Sequence, residues 1–179
     1  SETVKDLVTI TGTASDKNGI AKVSLSFDNG NSYVQAEGTT SWSLTFDSHV
    51  IQDGTHCVFL KVTDGYGIEG MYSSLVNIDN TAPNIYLDLP RDGSKTSGMV
   101  FFTGQATDNI GLKKLYYTVR ALGSSAQEKK QELSIENIIT GSLDLSDMKD
   151  GIYNIEITGE DAGGNLTRIS RNIELGKSF

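Results

Sequence analysis

The chain is poor in the residues that usually announce chemistry: 179 residues hold one Cys, two Pro, one Trp and two His. A lone Cys57 excludes a disulfide within the chain and any cysteine-rich metal site. It lies in a strand-like run, where a buried, inert thiol is expected. His49 sits in a turn-like segment and His56 on the inward side of an alternating run. Neither stands near a Cys or Ser constellation, and no H-E-x-x-H or G-x-S-x-G pattern occurs, so enzymatic activity is not expected. No apolar run approaches the length of a membrane-spanning helix. Positive charge is also scarce, with 15 Lys+Arg against 23 Asp+Glu and a net charge of −8. The imbalance is uneven: residues 1–80 carry 4 basic and 10 acidic groups, residues 81–179 carry 11 and 13. Such a surface repels phosphate backbones and anionic headgroups, which argues against nucleic-acid binding and an anionic membrane surface, and with no long apolar run no membrane insertion is expected. The same surface suits cations. A start at Ser1, without Met or a leader pattern, is expected of a segment cut from a longer protein.

What the chain has instead is a repeat. Val8 to Ile20 returns as Val100 to Leu112 at an offset of 92 residues, aligning Gly12, Ala14, Asp16 and Gly19 with Gly104, Ala106, Asp108 and Gly111. Near the end of each copy the offset becomes 97: Asp53-Gly54 matches Asp150-Gly151, and Asp64 and Gly67 match Asp161 and Gly164. A period this long is a domain, not a solenoid unit. Two domains are expected, 1–80 and 81–179.

Both copies alternate apolar and polar residues with a period of two, the signature of half-buried sheet. Val23, Leu25 and Phe27 form one such face, as do Trp42, Leu44 and Phe46, and Tyr153, Ile155 and Ile157. Asp, Asn and Gly punctuate the runs at Asp16 to Gly19, Asp28-Asn29-Gly30, Asp53-Gly54 and Asp64 to Gly67. There Gly supplies positive φ, and Asp or Asn caps turn amides. Gln127 to Ile139 is ambiguous and is read as a loop or hairpin extension. The expected fold is all-β, two antiparallel sandwiches joined by a short linker around Asp79, Asn80, Thr81 and Pro83. Pro83 holds the connection extended, so little freedom is expected between the domains. The second copy has an extra opening strand, Asn84 to Leu89, whose counterpart would fall before residue 1. The first strand of copy one is therefore expected to be missing.

These elements together resemble tandem bacterial immunoglobulin-like repeats of cell-surface proteins. The resemblance rests on Thr11-Gly12-Thr13-Ala14-Ser15-Asp16 through Gly19-Ile20, Val23 to Gly30, Asp53-Gly54, Asp161-Ala162-Gly163-Gly164-Asn165 and Ile78 to Pro83. It covers both halves and implies seven-strand sandwiches in series without catalysis. Copy one departs from the pattern where Ile68 replaces Asn165, which questions a shared polar role for that loop. Ser26 to Tyr33 also resembles the Asp-box hairpin of sialidase-type propellers, a structural turn; a propeller needs several copies and far more chain.

The resemblance implies an extracytoplasmic, non-catalytic spacer in a larger bacterial surface protein, its partners the neighbouring domains. Two alternatives stand beside it: an adhesive module for a host protein or glycan, and an accessory domain of a secreted enzyme. An adhesive role needs an exposed aromatic cluster, for which Tyr116 or Tyr117 with Phe101 or Phe102 are the candidates. The candidate metal site is calcium at the domain junction. An Ig-like topology gathers Asp108 and Asp161 at one end of copy two, where Asp79 arrives on the linker, and hard cations take carboxylate oxygens. The competing expectation is that each Asp caps its own turn, as the recurrence of Asp16 and Asp64 suggests.

Overall fold

The computed structural model describes residues 2–127 and 129–176. The chain divides into two compact units, Ser1–Asn80 and Thr81–Phe179. The first contains β1 (Thr3–Val4), β2 (Leu7–Thr13), β3 (Ile20–Ser26), β4 (Val34–Gln35), β5 (Glu37–Gly38), β6 (Ser41–Asp47), β7 (Gly54–Asp64) and β8 (Glu69–Ile78). A 3₁₀ turn at Ser48–Val50 precedes β7, with the Asp47 carboxylate accepting from the His49 backbone N–H at its N-terminus. The second unit contains β9 (Asn84–Leu89), β10 (Ser94–Thr96), β11 (Met99–Thr107), β12 (Leu112–Ala121), β13 (Lys129–Glu132), β14 (Ile138–Asp144), β15 (Gly151–Asp161) and β16 (Leu166–Leu175). No helix among the described residues is long and apolar enough to cross a membrane.

Each unit is two facing sheets. In the first the orders are β1-β8-β7-β3-β4 and β2-β6-β5; in the second, β10-β16-β15-β12-β13 and β14-β11-β9. Pairing is antiparallel with one parallel pair per unit, β1 with β8 and β10 with β16. The parallel pair arises because the opening strand changes sheets. β9 pairs with β11, and after Pro90 the chain crosses so that β10 lies beside β16. Among the described residues the first unit has no counterpart of β9, so β2 pairs with β6 alone. Gln127 to Ile139 does extend a hairpin: β13 pairs with β12, and β14 begins at Ile138. Glu128, within that stretch, lies outside the described residues.

Alternation fills both cores. The second unit buries Ile85, Leu87, Phe102, Tyr117, Ile155 and Ile157 among others. The first buries Val23, Leu25, Trp42, Leu44 and Val58, with Ile10, Leu60 and Val62 only half-buried against them. His56 and Tyr153 hold equivalent places. His56 Nε2 lies 2.6 Å from the Gln52 carbonyl, and the Tyr153 hydroxyl donates to the Lys149 carbonyl at 2.8 Å. Both side chains fasten the turn four residues back. His49 is exposed and paired with Asp47. Cys57 is half-buried, not buried as expected, because its strand position points away from the core that Val58 enters.

Candidate functional site

The acidic turns lie where β11 leads into β12 and where β15 turns into β16. Asp108 Oδ1 accepts from the N–H groups of Ile110 and Gly111 at 2.9 and 2.7 Å. Asp161 Oδ1 accepts from the Asn165 N–H at 2.8 Å. The loops are stitched together by the Ala162 N–H, which donates to the Gly111 carbonyl at 3.2 Å. The turn-cap role expected of these aspartates is therefore real, but it uses one oxygen of each. The two carboxylates have oxygens within 4.8 Å of one another. Oδ2 of both is buried and finds no hydrogen-bond partner among the described residues, and Asp161 is fully buried. Two carboxylates this close, each with a desolvated lone oxygen, are unfavourable unless a cation or a shared proton compensates.

The same turns in the first unit are arranged differently. Asp16 Oδ1 accepts from the Asn18 N–H at 2.7 Å. Asp64 Oδ1 accepts from the N–H groups of Tyr66 and Ile68 at 2.9 and 2.8 Å. Its Oδ2 accepts from the Asn18 side-chain amide at 3.0 Å. That amide, followed by the backbone donors, holds the Asp64 carboxyl below the usual carboxylate range. The position 92 residues beyond Asn18 is Ile110, whose side chain offers no donor. So copy one closes its acidic turn with an internal amide and copy two does not. This Asn-to-Ile exchange was visible in the aligned sequences, but its meaning depends on which oxygen the backbone leaves over. Asn165 and Ile68 both donate a backbone N–H to the aspartate of their turn, so that bond does not depend on the side chain.

Asp79 closes the first unit: it follows β8, is buried, and its N–H donates to the Val4 carbonyl at 3.0 Å. Asn80 is held in the same unit. Its N–H donates to Asp53 at 2.9 Å, and its side-chain oxygen accepts from the Asp6 N–H and the Ser48 hydroxyl. Thr81 is the first residue of the second unit, where the Pro83 carbonyl accepts from the Thr167 hydroxyl.

The aromatic candidates do not cluster. Phe102 and Tyr117 are buried and stacked with ring centroids 5.2 Å apart. Tyr116 is half-buried beneath Lys130, whose Nζ lies 4.1 Å from the ring centroid. Phe101 is exposed on the other sheet.

The architecture is that of tandem immunoglobulin-like domains. Residues 1–58 match the family model of the bacterial Ig domain. A three-Ig fragment of titin aligns over 97% of this chain and 61% of its own length, at 13% identity and a TM-score of 0.57. An I-band fragment of titin aligns over 97% and 60%, at 14% identity and a TM-score of 0.55. A tetra-tandem repeat from the extending region of a large adhesion protein aligns over 96% of this chain at 21% identity and a TM-score of 0.47; the chain spans 49% of its length. No curated protein sequence matches. The chain has the fold of tandem immunoglobulin-like domains, and residues 1–58 resemble the bacterial Ig domain.

Proposed function

We propose that the two repeats form a non-catalytic spacer in the extracytoplasmic part of a larger bacterial surface protein. The observation that carries this reading is how the linker is fastened. Asn80 is anchored to the first unit through Asp6, Ser48 and Asp53, and Pro83 to the second through Thr167. Thr81 and Ala82 lie between these two residues in the chain. The four aromatic candidates, Phe101, Phe102, Tyr116 and Tyr117, do not form one exposed cluster. Arrays of host glycans and matrix proteins probed with residues 1–179 test the reading. A spacer gives no saturable binding; saturable binding by this chain makes it an adhesive module instead.

A second reading is favoured by the buried, unpartnered Oδ2 atoms of Asp108 and Asp161. These two carboxylates hold a Ca²⁺ ion between the acidic turns of the second unit. Calcium takes six to eight oxygens, part of them carboxylate, so backbone carbonyls or water complete the shell. Thermal unfolding in EDTA and in millimolar Ca²⁺ tests it. Calcium at ten times its dissociation constant adds about 1.4 kcal/mol. An unchanged midpoint sinks the calcium reading and leaves the spacer reading standing.

A further inference from the structure

The two sheets of the second unit show different faces to solvent. The five-stranded sheet presents paired charge, Lys114 with Glu160 and Arg168 with Glu156. None of the strands of the three-stranded sheet β14-β11-β9 contains a Lys or an Arg. Its outward residues include Phe101, Ile138 and Tyr86, which are 60%, 61% and 58% exposed, with Met99 and Leu89 at 45% and 40%. The register sets them in rows. Tyr86, Gln105 and Ile138 cross the three strands as one row, and Leu89, Thr103 and Thr140 as the next. Phe101 stands beside Ser142, and Met99 beside Asp144. Beyond Leu89 the chain turns at Pro90, and Arg91 borders a cavity of about 220 Å³ together with Met99 and Phe101.

The fold does not need this apolar face. At the repeat offsets of 92 and 97, Phe101 and Ile138 correspond to Thr9 and Ser41. Copy one builds the same sheet with Thr9, Thr11 and Thr13 exposed on β2, and only Leu7 is apolar among the exposed residues of that strand. The Thr9 and Thr45 hydroxyls share a hydrogen bond of 2.8 Å across it. Threonine and serine therefore suffice at these positions. The exposed Phe and Ile of copy two are an apolar excess of the kind that marks an interaction face.

We propose that two copies of this protein pack against each other through this face, sheet on sheet, about a two-fold axis running along β11. Self-complementarity selects the arrangement. The axis exchanges the β9 and β14 edges, so Tyr86 of each copy lies over Ile138 of the other. Arg91 of each copy faces Asp144 of the other, and Phe101, Thr103 and Gln105 meet their own counterparts on the axis. An axis across the strands, centred on Thr103, would lay Phe101 over Gln105 and Ile138 over Ser142, apolar on polar. The face measures roughly 14 Å by 20 Å from strand spacing and rise. That is small beside the ~800 Å² per partner of a standard interface, so the dimer is transient, with a dissociation constant on the order of 0.1–1 mM. The inference goes beyond the spacer reading and stands without it, since a chain that binds no host molecule can still pair with its own kind.

The test is a dilution series of residues 1–179 read by backbone amide NMR shifts, from about 20 µM to about 1 mM. Amides of β9, β11 and β14 should move with concentration and those of the first unit should not. The variant Phe101→Thr/Ile138→Ser carries the residues of copy one at both positions. It should keep the folded spectrum and associate at least about tenfold more weakly, because it removes the central apolar contacts. A second arm fixes the axis. In a chain with Cys57→Ser and Gln105→Cys, a short bis-maleimide should join two copies through residue 105, since sheets packed face to face lie about 10 Å apart. Shifts that are absent up to the highest concentration, that map to other strands, or that persist in the folded double variant overturn the proposal. So does a dimer that residue 105 fails to link.

Discussion

Ile10 and Phe102 occupy the same place in two copies of one fold, yet Phe102 is sealed and Ile10 is not. Along β2 the inward residues Val8, Ile10 and Gly12 are all half-buried; along β11 their counterparts Val100, Phe102 and Gly104 are all buried. The alternation is identical, so the pattern within the strand does not produce the difference. The neighbouring strand does: β9 covers β11, and among the described residues β2 has no such neighbour. The acidic turns differ for a parallel reason. One side-chain amide, present at Asn18 and absent at Ile110, decides whether the second carboxylate oxygen is satisfied. In both cases the repeat preserves the scaffold, while a single missing partner exposes a group that wants one.

The largest expected consequence lies in the cores. Phe102→Ala should cost about 3–5 kcal/mol in the second unit, the usual loss for a sealed aromatic. Ile10→Ala should cost roughly 1–2 kcal/mol, since part of that side chain is already wet. Denaturant titration should resolve two transitions, the first unit unfolding earlier, because independent domains need not melt together. Equal losses at the two positions would mean that Ile10 is sealed in solution.

Next come the acidic turns. Asp161→Asn should remove the calcium-dependent gain of about 1.4 kcal/mol expected at ten times the dissociation constant. In EDTA the same variant should be at least as stable as the parent, because it relieves two adjacent desolvated carboxylates. A large loss in EDTA would show that the Asp161 charge is structural. The reciprocal change is Ile110→Asn, which installs in copy two the amide that copy one has. It should raise the midpoint in EDTA and shrink the response to calcium, read from paired melts. An undiminished calcium response would place the ion away from Asp161 Oδ2.

Much of this was legible in the chain. The 92-residue repeat marks the shared scaffold, period-two runs locate the strands, and Asp-Asn-Gly clusters locate the turns. The extra strand Asn84–Leu89 was readable as an asymmetry between copies. Its consequence was not, since how far β11 is sealed depends on which sheet that strand joins. Period-two alternation puts adjacent Tyr116 and Tyr117 on opposite faces, but it does not show that Phe101 lies on the other sheet. The calcium question turned on single oxygens. Sequence names the aspartates, whereas the number of backbone donors each turn supplies is a property of its geometry. Cys57, expected to be buried as an inert thiol, lies on the face of β7 opposite Val58 and stays half-buried.

The smallest expected effect is confined to the first unit. In the hairpin after β3, the Ser32 hydroxyl donates to Asp28 Oδ2 at 2.6 Å, and the Ser32 N–H and Ser26 hydroxyl donate to Oδ1. These bonds, the Ser32 hydroxyl foremost, lower the Asp28 carboxyl from 3.8 to about 2. A carboxyl depressed in the folded state stabilises it above its unfolded value, and the contribution fades as pH falls through the folded value. The position 92 residues later is Arg120, so the second unit has no such group there. The first unit of Asp28→Asn should therefore melt slightly below the parent at pH 6, and the gap should close between pH 4 and pH 2. The second unit's transition should not distinguish the two proteins at any pH. Other lowered carboxyls, such as Asp47 and Asp64, titrate in parent and variant alike and cancel in the comparison. A gap that persists unchanged at pH 2 would mean that Asp28 holds the hairpin through its shape and not through its charge.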